Sequence, residues 1–267
     1  MDNPAYSSVN QAVIFAGGLG TRFSEETSNK PKPMIEIGTM PILWHIMKLY
    51  HHQGVKKFVI CAGYKQEVIK NFFLNYRAYH SDLVINFGND QVSYLNKKHE
   101  DWQVTIVNTG MESQTAYRLK KVEPFLDDQF YLTYGDGLAD INLQLLDKVH
   151  VSGGAVVTLT AVQPKGRFGA LDMQEGNWVS EFREKPIGDG HWVNGGFFRV
   201  NKNFFDLFPV ILPEVTFEDC LADLADNGQL LAHKHKGFWA PMDTLRDYNV
   251  LNQMFEDNVA PWKLWND

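Results

Sequence analysis

The chain is expected to fold as an α/β protein: a Rossmann-like mixed, mostly parallel sheet flanked by helices, with a smaller β-rich lobe. Three observations predict this. In the first half, short apolar runs alternate with segments of helical spacing, the βαβ rhythm of a parallel sheet covered by helices. In the second half, strand-like segments follow one another before helices return. The chain has 267 residues, 44% of them hydrophobic, which is enough to bury one large core.

The elements follow in order. "QAVIF" is a short apolar run ended by glycines, a parallel-strand pattern. "PILWHIMKLYHHQG" puts Leu43, Met47 and Tyr50 at helical spacing, with Pro41 to start the helix and Gly54 to stop it. "KKFVICAGY" reads as a strand and "KQEVIKNFFLNY" as a helix. "DLVINFG", "VTIVNTG" and "FYLTYGDG" read as strands, with a helix around "TAYRLKKVEPFL". Beyond them, "GAVVTLTAV" is a strand. "GALDMQEGNWVSEFREK" is a hairpin turning at Glu175-Gly176-Asn177. "WVNGGFFRV" is a further strand, and "FEDCLADLADNG" and "TLRDYNVLNQMFEDN" are helices. With no low-complexity linker and no internal repeat, residues 11–267 are expected to form one domain behind a flexible N-terminal extension, residues 1–10.

The bulk properties exclude several classes. A net charge of −7 argues against a nucleic-acid polymer as partner, though not against a single nucleotide. No apolar run approaches the roughly 20 residues that span a bilayer, and the polar start "MDNPAYSSVNQ" lacks the pattern of a signal peptide. Cys61 and Cys220, distant in an otherwise well-stocked chain, read as reduced structural thiols of a cytoplasmic protein. No His/Cys spacing suggests zinc.

Candidate chemistry begins at "AVIFAGGLGTRFS". Gly17, Gly18 and Gly20 follow a strand, as where a backbone approaches a phosphate. Neither the Gly-Lys-Ser/Thr ending of a P-loop nor the third glycine of the dinucleotide fingerprint is present, so the alternatives are another nucleotide loop or a plain strand-to-helix turn. Arg22 and Lys32 favour the first. In "NKPKPM" two prolines stiffen the segment around Lys32, which suits an anion contact better than a solvated turn. Asp136, between Gly135 and Gly137 in "LTYGDG", ends a strand where parallel sheets hold ligands, and a carboxylate there suits Mg²⁺. A second carboxylate is offered by Asp243 in "GFWAPMDTLRD", whose other reading is a helix N-cap. The two aspartates are far apart in the chain, so spacing cannot pair them.

Taken in order, "GGLGTRFSEET", "KPKPMIEIG", "PILWHIMKLY", "YGDG", "GRFGALD", "EKPIGDG", "NGGFF" and "GFWAPMDTLRD" resemble the sugar-1-phosphate nucleotidyltransferases. They resemble most closely the branch that joins CTP to glucose 1-phosphate. The likeness runs from about residue 11 to residue 265. It implies in-line attack of the sugar phosphate on the α-phosphorus of CTP, with Mg²⁺ as cofactor and pyrophosphate leaving. It implies that Phe15, Ala16, Gly17, Gly18, Leu19, Gly20, Thr21 and Arg22 form the nucleotide loop, with Lys32 at the α-phosphate and Ser113, Arg118 and Gly135 near the nucleotide. It implies catalytic roles for Arg22, Lys32, Asp136 and Lys185 and metal ligation by Asp136 and Asp243. Gly169, Glu184, Lys185 and Asn194 would hold the sugar phosphate within the β-rich, sugar-binding lobe. It also implies a homo-oligomer.

One stretch departs from the family. Where its members commonly have small residues before the arginine, this chain has Ala116 and Tyr117. Tyr117 is expected beside the nucleotide or an adjacent subunit, which leaves UTP beside CTP as a nucleotide. The same chemistry with UTP, dTTP or another hexose 1-phosphate, and a non-catalytic sugar-nucleotide sensor, are the other readings. The sensor is disfavoured because Lys32, Asp136, Lys185 and Asp243 are all present. His45 reads as a packed or rim residue. Trp262 and Trp265 read as a packed tail or, by preference, a subunit contact.

Overall fold

The computed structural model of the chain describes residues 9–18, 20, 29–96, 99–164, 170–183 and 191–265. Leu19, Thr21, Arg22, Gly169, Glu184 and Lys185 lie outside the described residues, as do residues 1–8 of the expected extension.

The first half contains β1 (Gln11–Ala16), β2 (Glu36–Ile37), β3 (Met40–Pro41), α1 (Ile42–His52), β4 (Lys57–Ala62) and α2 (Gln66–Tyr79). It continues with β5 (Leu83–Asn86), β6 (Gln91–Tyr94), β7 (Gln103–Asn108), α3 (Thr115–Val122), β8 (Gln129–Tyr134) and β9 (Gly137–Ala139). The second half contains α4 (Leu143–Gly153), β10 (Val157–Val162), β11 (Ala170–Met173), β12 (Val179–Arg183) and β13 (Val193–Asn201). It ends with α5 (Phe204–Leu207), α6 (Phe217–Asp226), β14 (Leu230–Lys234), β15 (Trp239–Pro241) and α7 (Leu245–Glu256).

Seven strands form the main sheet in the order β14-β10-β13-β8-β1-β4-β7. All run parallel except β13, which is antiparallel to both β8 and β10. The mostly parallel sheet expected from the βαβ rhythm is therefore present. Two segments sit elsewhere. "DLVINFG" supplies β5, which pairs only with β6 in a separate, exposed hairpin. The "GALDMQEGNWVSEFREK" hairpin, β11 with β12, is also a sheet of its own. β10, β13 and β14 instead extend the main sheet.

Side chains of the central strands alternate strictly between two cores, as a pleated strand requires. Ala12, Ile14 and Ala16 of β1 and Phe58, Ile60 and Ala62 of β4 face one side, with Ile42, Leu43 and Ile46 of α1, Leu143 and Leu146 of α4, and Leu251 of α7. Val13, Phe15, Val59 and Cys61 face the other, with Ala116 and Leu119 of α3 and Phe217 and Leu221 of α6. Beyond their first residues, Gln11 and Lys57, both strands are apolar because helices cover both faces. Both cysteines are free and buried.

Trp262 and Trp265 are 0% and 6% exposed within the first core. They pack on Trp44, His45 and Phe238, with ring centroids 5.6–6.3 Å apart. This corrects the expected subunit contact: the two rings close the chain's own core over α1, and little of either is left to meet a partner.

His45 lies beneath them. Its Nε2 is 2.9 Å from the Ile37 carbonyl, which can only accept, so Nε2 carries the proton. Nδ1 then faces the Trp262 indole N–H at 3.5 Å as an acceptor. Burial pushes the imidazole down to about 4, so folding favours its neutral form. The depressed value places this contribution to stability fully above the ordinary pKa of 6.5, and it is lost as pH falls through about 4. The predicted loss is on the order of 3 kcal/mol. Urea midpoints measured from pH 7 to pH 4 should fall less in His45→Gln, whose amide can donate to Ile37 and accept from Trp262. Equal slopes in the two proteins would refute this assignment.

Candidate active site

The order of the main sheet creates the site. From β1 the chain moves outward to β4 and β7, then returns to lay β8 on the opposite side of β1. The crevice beyond the carboxyl ends of β1 and β8 is thus a topological switch point, where open α/β sheets hold ligands. Gly17 and Gly18 follow β1 there, and Gly135 and Asp136 follow β8.

The two strand ends are locked together. The Gly135 amide donates to the Phe15 carbonyl at 2.9 Å. A Cβ on Gly135 would lie 2.7 Å from that oxygen and 3.0 Å from the Pro33 ring, so only glycine fits. Pro31 and Pro33 flank Lys32 at a short 3-10 turn, Lys32–Met34, and Pro33 rests against Gly135. The stiff frame thereby sets Lys32 over Asp136.

Asp243 arrives by a different route. β15 pairs antiparallel with β9, aligning Pro241 with Gly137, and the Met242 amide donates to the Asp136 carbonyl at 2.8 Å. This two-strand ladder brings together aspartates that sequence spacing could not pair. The N-cap of α7 is Thr244, in a capping box with Asp247. Asp243 is thus relieved of the capping role that the sequence offered it. Its carboxylate turns to Lys32.

Lys32 Nζ donates to Asp136 Oδ2 at 2.6 Å and to Asp243 Oδ1 at 2.7 Å. The lysine side chain is 11% exposed, while the carboxylates are 35% and 31% exposed. Burial alone would lower the lysine pKa, but the two carboxylates outweigh it and hold the ammonium above its ordinary value. The aspartates therefore already bind a cation, through oxygen donors open to the cleft. Among the described residues, no group of three or more His, Cys, Asp or Glu could hold a metal ion. Two carboxylates with room for water and phosphate oxygens are a donor set that suits Mg²⁺.

Arg118 shapes the glycine turn from below. Its guanidinium donates to the Gly17, Gly110 and Met111 carbonyls and the Thr109 hydroxyl, at 2.7–3.2 Å. A Cβ on Gly17 would lie 2.1 Å from the guanidinium, so Gly17 is what allows this approach. Ser113 also lines the cleft, and its hydroxyl donates to the Thr109 carbonyl at 2.8 Å. Asn194 stands exposed at the start of β13, on the same edge of the sheet, where its Oδ1 accepts from the Gly196 amide at 2.9 Å.

Phe15, Ala16, Gly17, Gly18, Gly20, Lys32, Ser113, Arg118, Gly135, Asp136 and Asp243 share one cleft. Pro33, Gln114, Thr115 and Tyr134 line it as well, and sequence reasoning missed all four as site residues. Tyr134 packs against Phe15 with ring centroids 5.8 Å apart and donates its hydroxyl to Glu218. Burial, reinforced by the Glu218 charge, holds the Tyr134 phenol far above its usual range. The hydrophobic strand around Tyr134 concealed it, because an apolar run does not announce which residue ends at a ligand. Tyr117 is not among the cleft residues. It packs against the second core, with the Lys121 ammonium 5.3 Å from its ring, and this corrects its expected place beside the nucleotide. About a half-turn of α3 separates it from Thr115, which faces the cleft.

Residues 11–258 match the nucleotidyl transferase family. The chain is 50% identical over 258 residues to glucose-1-phosphate cytidylyltransferase of Salmonella typhi, covering 96% of this chain and 99% of that protein. The chain belongs to the nucleotidyl transferase family, in its glucose-1-phosphate cytidylyltransferase branch. This nucleotidyltransferase is also 40% identical over 256 residues to a probable glucose-1-phosphate cytidylyltransferase of Bacillus subtilis, covering 96% of this chain and 100% of that protein. Its fold matches a crystal structure of a putative glucose-1-phosphate thymidylyltransferase from Bacillus anthracis, with a TM-score of 0.68 and 16% identity over 92% of this chain and 95% of that one. Nucleotidyltransferases of this family generally use a divalent metal. Among the described residues, no helix is long and apolar enough to cross a membrane.

Proposed function

We propose that the cleft transfers a cytidylyl group from CTP to α-D-glucose 1-phosphate, giving CDP-glucose and pyrophosphate. The observation that carries this reading is the meeting of Lys32, Asp136 and Asp243 beside Gly17 and Gly18 at the switch point. The likeness to glucose-1-phosphate cytidylyltransferases supports the choice of substrates.

An oxygen of the sugar phosphate attacks the α-phosphorus of CTP. The new phosphorus–oxygen bond forms as the bond to the β-phosphate breaks, and pyrophosphate takes the electron pair. Such a step requires positioning and charge neutralisation more than covalent catalysis. Gly17 and Gly18, without side chains, let the nucleotide lie against their backbone. Lys32 offsets charge on the α-phosphate. Asp136 and Asp243 would hold Mg²⁺, which would supply neutralisation of phosphate charge. Arg118 keeps the glycine turn in shape through the Gly17 carbonyl. Arg22, with Leu19 and Thr21, completes the nucleotide loop and steadies the leaving phosphates. Lys185, Glu184, Gly169 and Asn194 hold the sugar phosphate. The family likeness supports a homo-oligomer, the two free, buried cysteines support a cytoplasmic protein, and the lack of a linker supports one domain, residues 11–267.

Pyrophosphate release tests the substrates. With glucose 1-phosphate and Mg²⁺, CTP should turn over fastest among CTP, UTP and dTTP, and omission of Mg²⁺ should stop the reaction. Turnover with UTP or dTTP but none with CTP would overturn the assignment.

A further inference from the structure

Lys32 has a second task in the geometry. The ammonium sits between the two carboxylates at 2.6 and 2.7 Å, which is where a cation ligated by both would lie. We propose that Lys32 is a competing counter-ion: its ammonium and a divalent cation take the same pair of carboxylates, so loading the cation and releasing the lysine into the cleft are one event. The inference rests on the reading of Asp136 and Asp243 as cation ligands.

Charge counting favours exchange over sharing. Two carboxylates are neutralised by one divalent cation. A lysine kept between them would leave an excess positive charge, with two cations a few ångströms apart and repelling each other. The backbone gives the lysine little else to do than swing its side chain. Pro31 and Pro33 fix the segment on either side, and Pro33 is wedged against Gly135. The four-carbon stem is flexible, and the ammonium already lines the same cleft as Gly17 and Gly18. A lysine leaving the aspartates therefore enters the space where a nucleotide phosphate would accept it. Charge delivery to the phosphate then depends on the cation's arrival, which keeps the lysine from meeting a phosphate that lacks its metal.

The opposite possibility is that Lys32 stays in place and steadies the carboxylates for a cation bound on their solvent side. Mn²⁺ binding without any nucleotide separates the two. Free Mn²⁺ can be followed by electron paramagnetic resonance on the full chain. If the lysine competes, Lys32→Met should bind Mn²⁺ alone about tenfold more tightly than the unaltered protein, because no fraction of the site is closed by the ammonium. Mn²⁺ should also raise the melting temperature of Lys32→Met more than that of the unaltered protein. Lys32→Arg, which keeps a cation between the carboxylates, should bind Mn²⁺ much as the unaltered protein does. Equal or weaker Mn²⁺ binding by folded Lys32→Met would overturn the proposal, as would Lys32→Arg binding as tightly as Lys32→Met. Asp136→Asn should lose Mn²⁺ binding. Undiminished binding in that variant would overturn the cation site itself, and with it the reading on which the proposal rests.

Discussion

Turnover in Asp136→Ala is expected to fall by about a thousandfold or more, because the cation that would neutralise charge at the transferring phosphate loses one of its two carboxylate ligands. Two losses act together. The carboxylate that would hold the cation is gone, and with it the exchange that would release Lys32, still held by Asp243 at 2.7 Å, to the phosphate. The fall should appear in kcat/KM with CTP as substrate, under saturating Mg²⁺. Asp136→Asn, which preserves shape but removes charge, should fall nearly as far. The fold should be little disturbed, since the Asp136 side chain is 35% exposed and its structural tie to β15 runs through its backbone carbonyl. Near-normal turnover in either variant would remove Asp136 from the chemistry.

The second large effect concerns stability and lies far from the cleft chemistry. Arg199 on β13 is fully buried and donates through Nε to Asp147 Oδ1 at 2.9 Å. Asp147, on α4, also accepts from the Tyr131 hydroxyl at 2.6 Å, and Arg199 donates further to Gln129 at 2.7 Å. This network ties α4 to the sheet. Asp147→Ala would leave a guanidinium buried without its counter-charge, and breaking a buried pair from one side costs about 3–5 kcal/mol. Against a typical domain stability of about 5–15 kcal/mol, that is a large share. Urea unfolding should register the full loss in Asp147→Ala, and Arg199→Met added to it should recover much of the stability by removing the stranded charge. A loss below about 1 kcal/mol would mean that the pair is not the anchor its burial indicates.

Much of the fold was legible in the chain because parallel strands buried on both faces read as continuous apolar runs. β1, β4 and β8 carry that pattern over most of their length, and β10 carries it with threonines interleaved. The β5–β6 hairpin misled for the same reason: "DLVINFG" is apolar enough for the main sheet, yet its four β5 residues are all exposed. Composition cannot distinguish a strand that joins a sheet from one that leaves it, since pairing is decided by partners remote in sequence. Trp262 and Trp265 misled in the converse way. Aromatic residues near a chain end suit an interface and a core equally, and only the packing on His45 and Trp44 chose the core.

The sequence by itself determined the chemical inventory: a glycine turn after a strand, a lysine held between prolines, two aspartates beside turns, and an ordered series of motifs that marks the nucleotidyl transferase family. These are local properties, written in neighbouring residues. Which groups meet was decided by the tertiary structure alone. Asp243 reaches Asp136 because β15 pairs with β9. Thr244 takes the cap that would otherwise have occupied Asp243. Arg118 reaches Gly17 from α3, on the far side of the adjoining loops. The Thr244 cap is local, but the other two contacts join segments remote in sequence, and register, handedness and packing set them rather than spacing along the chain.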